Sequence, residues 1–169
     1  MQFRRIGQLV AATTVSAVAL SGAQAVAQEN KTTISVTNIT DIHGHLEDKI
    51  GDPAKAGDEI GVARLQTLIK QVNEGQEFNL TSSGDNVGGS AFVSAISDDK
   101  YTLEALNEMG MKVTAVGNHE FDKGTEDLTG RIADSSDYPI LGANVFKDGK
   151  PLLEASHVEE IDGVKVGYV

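Results

Sequence analysis

Three short polar segments carry residue types that bind divalent metals or transfer protons. They are Asp41-Ile42-His43-Gly44-His45, Gly84-Asp85-Asn86-Val87-Gly88-Gly89-Ser90 and Gly117-Asn118-His119-Glu120-Phe121-Asp122. Carboxylate, imidazole and amide groups suit hard or borderline cations. The chain has no cysteine, which excludes thiolate metal sites and cysteine nucleophiles. Each segment taken alone also has an ordinary explanation as a turn or a helix cap.

The first two segments indicate metal or anion binding. If the chain is extended there, Asp41 and His43 leave it on the same side about 6 to 7 Å apart, so a carboxylate and an imidazole can share one ion. Asp85 directly follows a strand pattern, and its two oxygens can bridge two cations. The backbone amides near Gly88 and Gly89 precede a helix pattern, where an anion is favoured.

The third segment adds a proton-transfer group to a metal ligand. Asn118 offers an amide oxygen to a cation, while the adjacent His119 can point toward a phosphoryl oxygen. Asp122 can hold the other ring nitrogen of His119 and keep the ring protonated. Such a pair can stabilise charge on a phosphoryl group or protonate a leaving alkoxide.

These segments each follow a predicted strand. Alternating apolar and polar residues predict strands over 32–40, 78–82, 112–116 and 138–144. Apolar residues at helical spacing predict helices over 62–72, over 91–109 with a break near 97–99, and over 125–133. Because the carboxyl ends of strands in an open α/β sheet share one edge, we expect the three segments to meet there.

The C-terminal part has a different pattern. Asp162-Gly163 between the β-like runs 156–161 and 164–169 predicts a hairpin. The chain ends inside the second run, so we expect an α/β sheet sandwich flanked by helices, truncated before completion. His157 lies in this hairpin without another histidine at a metal-site spacing, and we interpret it as an ordinary strand residue.

Residues 1–27 have the pattern of a signal peptide. Arg4 and Arg5 precede an apolar stretch and then small residues, with cleavage expected after Ala27 and with Ala25 as the alternative. The apolar stretch is interrupted and shorter than the roughly 20 residues of a spanning helix, so we expect no membrane span after cleavage. We therefore expect a secreted, periplasmic or cell-wall-associated protein in which residues 28–169 form the N-terminal part of an incomplete domain.

The mature chain is strongly acidic. Removal of the leader leaves 12 basic and 25 acidic residues, a net charge of −13. Nucleic-acid polymers and anionic lipid surfaces are therefore disfavoured as partners, because like charges repel.

The three segments resemble the first three motifs of the calcineurin-like metallophosphoesterases, an α+β metallophosphatase fold. The run Gly-Asn-His-Glu-Phe-Asp, together with the leader, is similar to the 5'-nucleotidase and UDP-sugar hydrolase branch. The resemblance implies two divalent ions, zinc, manganese or similar, whose identity stays open. It assigns metal binding to Asp41, His43, Asp85 and Asn118, with Asp85 bridging both ions, and catalysis to His119 and Asp122.

The resemblance implies a hydrolase that acts on nucleoside 5'-monophosphates or nucleotide sugars. The family's later motifs, a further histidine and a Gly-His-X-His segment, and its second domain do not occur in this sequence. We therefore expect the 169 residues alone to be inactive. Two alternatives stay open: a 2',3'-cyclic nucleotide phosphodiesterase or another member of the superfamily, and a non-catalytic secreted module that binds metal or nucleotide. His45 either supports the metal ligands from behind, lies close to the substrate or is a plain loop histidine. The oligomeric state is not predicted.

Overall fold

A parallel sheet lies at the centre of the fold, as the alternating strand and helix patterns predict. The computed structural model describes residues 31–169, and the predicted leader over 1–27 lies outside the described residues. The strands are β1 (Ser35–Ile39), β2 (Phe78–Ser82), β3 (Met111–Ala115) and β4 (Ile140–Leu141). They lie in the order β1-β2-β3-β4, and every neighbouring pair is parallel. Their carboxyl ends therefore share one edge of the sheet.

Helices connect these strands. They are α1 (Gly61–Val72), α2 (Phe92–Ala95), α3 (Lys100–Glu108) and α4 (Thr125–Asp127), and α4 continues as a π-helical stretch over Leu128–Ile132. The predicted break within 91–109 is confirmed. Between α2 and α3, Asp98 and Asp99 have φ angles of 53° and 61°, which an α-helix does not accommodate.

The helices pack on one face of the sheet. Phe78 and Leu80, alternate residues of β2, point to this face, where Leu80 is buried with Ile69 of α1 and Leu106 of α3. A second buried cluster joins α3, the π-helical stretch and β4 through Leu103, Leu128 and Ile140. Right-handed connections between sequential parallel strands place the helices on the same side, which explains the single apolar layer.

The region after β3 differs from the predicted pattern. The fourth strand pairs at Ile140–Leu141 and not over 138–144, because Pro139 has no N–H group and the Gly142 N–H donates instead to the Glu154 carbonyl oxygen over 2.9 Å. The sequence patterns also do not predict a short hairpin of β5 (Phe146–Lys147) and β6 (Lys150–Pro151). Its strands are two residues long, too short to show alternation.

The C-terminal hairpin lies against the opposite face of the sheet. Its strands, β7 (His157–Ile161) and β8 (Val164–Tyr168), pair antiparallel as predicted. Asn79, on the opposite face of β2 from Leu80, is buried and donates a hydrogen bond of 3.1 Å to the Tyr168 hydroxyl group. The predicted α/β architecture is therefore confirmed. Within 31–169, every helix is too short or too polar to cross a lipid bilayer.

Candidate metal centre

Three loops at the carboxyl ends of β1, β2 and β3 form the candidate site. They are the first loop (41–45), the second loop (84–90) and the third loop (117–122). Backbone hydrogen bonds join the first two. The Asp41 N–H donates to the Gly84 carbonyl oxygen over 3.1 Å, and the His43 N–H donates to the Asp85 carbonyl oxygen over 3.2 Å. The expectation that distant segments meet at this edge is thus confirmed.

The second and third loops pack backbone against backbone at two glycines. A Cβ atom on Gly84 would lie 2.4 Å from the Gly117 nitrogen, and one on Gly117 would lie 2.2 Å from Asp85 Oδ1. Any side chain at these positions would push the loops apart. The close approach lets the backbone N–H of His119 donate to Asp85 Oδ1 over 2.9 Å.

Asp41, His43 and Asp85 lie together at this edge. One donor atom from each residue can be chosen so that all three lie within 4.8 Å, the one such group of acidic and histidine side chains that the described residues contain. Their φ angles are 54°, 43° and 53°. Positive φ is uncommon in residues other than glycine and often marks functional sites.

The expected extended spacing of Asp41 and His43 is wrong. Strand β1 ends at Ile39, and the chain then turns through the positive φ angles of these two residues. In this turn, His43 Nε2 lies 3.8 Å from Asp41 Oδ1. The two groups are therefore placed side by side by a tight turn and not by strand alternation.

The orientation of the His43 ring is fixed by the second loop. His43 Nδ1 lies 2.7 Å from the Gly88 carbonyl oxygen. A carbonyl oxygen can only accept, so Nδ1 carries the proton and donates. The lone pair of the neutral ring is then on Nε2, the nitrogen that faces Asp41, which is the arrangement of a metal-binding histidine.

His119 and Asp122 form the pair that their spacing predicts. His119 Nδ1 lies 3.0 Å from Asp122 Oδ2. The hydrogen bond with Asp122 raises the pKa of His119, and partial burial of the ring opposes this effect. The same bond lowers the pKa of Asp122, helped by the Gly89 N–H that donates to its carboxylate. The His119 ring also packs edge-on against His43, with ring centroids 4.8 Å apart.

The other predicted or considered residues lie in different settings. Asn118 is exposed at the start of the third loop, next to His119. His45 turns away to the exposed carboxylate of Glu59, with Nδ1 and Oε2 2.9 Å apart. His157 lies in β7 as expected, bonded to Glu159 on the same strand over 2.7 Å.

The backbone amides of the second loop do not form the expected anion site. Five consecutive N–H groups donate to the protein's own carboxylates: those of 85, 86 and 87 to Glu120, that of Gly88 to Asp99, and that of Gly89 to Asp122. The helix that follows, α2, has only four residues. A phosphoryl group would therefore find these amides already bonded.

Sequence patterns did not single out Asp99 and Glu120, which are both buried. Asp99 lies between two short helices and accepts from the Ser94 hydroxyl group over 2.7 Å and from the Gly88 N–H over 3.2 Å. It thereby holds the residue whose carbonyl oxygen orients His43. The helix break predicted near 97–99 was a sequence signal for Asp99, and the acidic residue in the middle of the third segment was one for Glu120.

The donors at this edge fit divalent cations. They combine carboxylate oxygens with an imidazole nitrogen and contain no thiolate, which suits zinc, manganese and similar ions. Asp85 Oδ1 accepts the His119 N–H, so Oδ2 stays available to a cation. With the proton of His43 on Nδ1, the lone pair is on Nε2, which lies beside the Asp41 carboxylate. The structure thus contains a candidate Asp/His metal site.

Comparisons with known proteins are consistent with this geometry. The Calcineurin-like phosphoesterase family model matches residues 34–165. The cell wall protein Lmo0130 of Listeria monocytogenes is 31% identical over 192 residues, covering 95% of this chain and 24% of that protein. The 5'-nucleotidase of Bos taurus is 29% identical over 121 residues, covering 69% of this chain and 21% of that enzyme. The chain thus spans less than a quarter of each of these two relatives.

Solved structures show the same fold. The calcineurin-like phosphoesterase YfkN of Bacillus subtilis superposes with a TM-score of 0.65 at 24% identity, covering 80% of this chain and 47% of that one. The NAD nucleotidase of Haemophilus influenzae gives a TM-score of 0.63 at 22% identity, covering 79% of this chain and 25% of that one. The predicted fold class is confirmed.

Proposed function

This chain belongs to the calcineurin-like phosphoesterase family, and from that premise we propose that it supplies one side of a two-metal centre for phosphate ester hydrolysis. The observation that carries the proposal is the convergence of Asp41, His43 and Asp85, whose donor atoms lie within 4.8 Å of one another at the shared edge of a parallel sheet. The first ion would be held by Asp41 and His43, the second by Asn118, and Asp85 would bridge both.

Divalent ions bound there supply Lewis acidity toward the phosphoryl oxygens and toward the attacking water. The chain's own residues hold these ligands in place before any ion arrives. The Gly88 carbonyl oxygen orients His43, and the His119 N–H orients Asp85. Little reorganisation is then required on binding, which favours affinity.

His119 is proposed as the catalytic group that acts on the substrate. Asp122 occupies Nδ1 and raises the pKa of the ring, which leaves an Nε2–H that can donate to a negatively charged phosphoryl oxygen or to the leaving group. A cavity of about 130 Å³ lies beside the ring, and Gly88, Gly89 and Asp122 are among its lining residues.

We propose nucleotides as the substrate class, with nucleoside 5'-monophosphates and nucleotide sugars as the first candidates. Relatives named 5'-nucleotidase and a structural neighbour named NAD nucleotidase support this choice. The leader pattern over 1–27 and the similarity to a cell wall protein support export from the cytoplasm.

The metal centre is tested by titrating the 169-residue chain with Mn²⁺ and following the free ion by its electron paramagnetic resonance signal. We expect saturable binding that is weakened in His43→Ala and unchanged in His157→Ala. Equal binding by wild type and His43→Ala would refute the proposed centre. Four protein donors shared by two ions leave each ion partly coordinated, so we expect metal binding but little turnover from this chain alone.

The reaction is tested by phosphate release in the protein that carries this domain. AMP, UDP-glucose and 2',3'-cyclic AMP are supplied separately with Mn²⁺. We expect hydrolysis of AMP or UDP-glucose that His119→Ala reduces by about 100-fold or more, since a positioned acid contributes 10²–10⁴-fold. Faster hydrolysis of 2',3'-cyclic AMP than of AMP and UDP-glucose would contradict the proposed substrate class.

A further inference from the structure

Glu120 is the most completely bonded carboxylate at the candidate site. Its side chain is 3% exposed. Oε2 accepts the Gly117 N–H over 2.7 Å and the Asp85 N–H over 3.0 Å. Oε1 accepts the Asn86 N–H over 2.8 Å, with the Val87 N–H at a longer 3.5 Å. Both oxygens are therefore used by backbone donors of the protein.

These donors come from two different loops. Asp85 and Asn86 belong to the second loop, and Gly117 belongs to the third loop. In the opposite direction, the His119 N–H of the third loop donates to the Asp85 side chain. The two loops are thus joined by reciprocal hydrogen bonds, and one carboxylate sets the distance between their backbones.

The hydrogen-bond donors to the Glu120 carboxylate are backbone N–H groups. A buried carboxylate is costly unless donors compensate it. Those peptide N–H groups supply this compensation for Glu120. An apolar side chain could fill the same space, but it would leave those N–H groups without acceptors. The carboxylate is therefore suited to fix loop geometry.

We propose that Glu120 is a positioning residue of the metal centre: by clamping the second and third loops together, it sets the separation of Asp85 and Asn118 and thereby the affinity for divalent ions. Glu120 acts through the backbone, because both of its carboxylate oxygens accept peptide N–H groups. This inference rests on the proposed function for its metal readout. Its structural part, the clamp itself, can be measured without metal.

The first test is Mn²⁺ binding to the 169-residue chain with Glu120→Gln and Glu120→Ala. Glutamine has the shape of glutamate, but both oxygens of Glu120 accept N–H groups. Whichever way the amide is turned, its NH₂ group therefore faces donors and cannot accept from them. We expect the dissociation constant to rise about 10- to 100-fold, the effect typical of residues that orient metal ligands. We expect the alanine variant to lose at least as much affinity as the glutamine variant.

The matched control is Ile69→Ala, which opens a cavity in the cluster of Leu80 and Leu106 away from the loops. We expect this variant to lower the melting temperature and to leave the Mn²⁺ dissociation constant within twofold of wild type. If Ile69→Ala weakens Mn²⁺ binding as much as Glu120→Gln at the same loss of thermal stability, Glu120 has only a structural role and the proposal is wrong.

The second test is amide hydrogen exchange in metal-free protein. We expect the N–H groups of Asp85, Asn86 and Gly117 to exchange at least about tenfold faster in Glu120→Gln, while those of β2 and β3 keep their protection. Unchanged exchange at the three loop amides would overturn the clamp even if metal binding falls. If wild type binds no Mn²⁺, the proposed function fails, and the exchange result still decides whether Glu120 clamps the loops.

Discussion

A histidine is bonded to a carboxylate both in the third loop and in the C-terminal hairpin, and these two pairs differ in what else holds the carboxylate. In the third loop, His119 pairs with Asp122 over 3.0 Å, and in the C-terminal hairpin, His157 pairs with Glu159 over 2.7 Å. Asp122 also accepts the N–H of Gly89 from another loop. For Glu159, His157 on the same strand is the hydrogen-bond partner within the described residues.

This difference shows that a short histidine–carboxylate distance does not by itself mark a site. At the sheet edge, Asp85, Glu120 and Asp122 each accept a backbone N–H from a different loop. These bonds fix the carboxylates relative to one another, which is the preorganisation that metal binding and catalysis need. In the hairpin, the pair joins two residues of one strand and does not connect separate loops.

The largest effect that would sharpen this contrast is expected from Asp85→Asn. The asparagine oxygen can still accept the His119 N–H, so the loops stay joined while the negative charge is lost. We expect Mn²⁺ affinity to fall by at least about 100-fold, beyond the effect of residues that only orient ligands. Glu159→Gln in the hairpin is the matched loss of one carboxylate and should leave Mn²⁺ affinity unchanged. Similar losses in both variants would point to general charge attraction.

The next largest effect is expected from Gly117→Ala. The added Cβ would lie 2.2 Å from Asp85 Oδ1 and force the loops apart. We expect a loss of about 1 to 3 kcal/mol in the free energy of unfolding, typical of overpacking, together with weaker Mn²⁺ binding. Gly130→Ala is the control, because its Cβ would meet nothing within 4 Å. Urea denaturation measures the free energy of unfolding of both variants. Equal stability of Gly117→Ala and Gly130→Ala would mean that the second and third loops tolerate separation.

Much of the sheet edge could be predicted from the sequence, because each chemical segment directly follows a strand pattern. Strand 78–82 has the predicted bounds, and the three loops meet as parallel topology requires. The turn at Asp41 and His43 could not be predicted, since alternation fixes the side chains only while the chain stays extended. The positive φ angles of these residues arise from contacts with the second loop.

The bonding of the second loop also could not be predicted. Its glycines and its place before a helix indicate an anion site, but the sequence does not show where the anion comes from. In the structure, the carboxylates of Asp99, Glu120 and Asp122 take these amides. The outcome depends on the third loop folding over the second, which is tertiary information. Residue type therefore predicted which side chains meet at the sheet edge better than it predicted the carboxylates that bond the second loop.

A smaller effect is expected on the titration of His119. The hydrogen bond with Asp122 raises its pKa, so its midpoint should lie above the ordinary value of about 6.5 and should fall in Asp122→Asn. Because the folded pKa of His119 is the higher one, the contribution of His119 to stability is fully present below its unfolded pKa and is lost as pH rises through its folded pKa, while the lowered pKa of Asp122 means that the contribution of Asp122 is lost as pH falls through its own folded pKa. Histidine ring proton shifts in metal-free protein measure the midpoint. An equal or higher His119 midpoint in Asp122→Asn would show that Asp122 does not stabilise the protonated His119 ring.

The smallest effect is expected from His157→Ala in the hairpin. The pair with Glu159 is partly exposed and joins two residues of one strand, so its removal should change the free energy of unfolding by no more than about 0.5 kcal/mol. Mn²⁺ affinity should stay within twofold of wild type, because neither residue bonds to the three loops. A tenfold loss of Mn²⁺ affinity in this variant would place His157 in the metal centre. The contrast between the carboxylates of the sheet edge, which bond to other loops, and the pair of the hairpin, which does not, would then be lost.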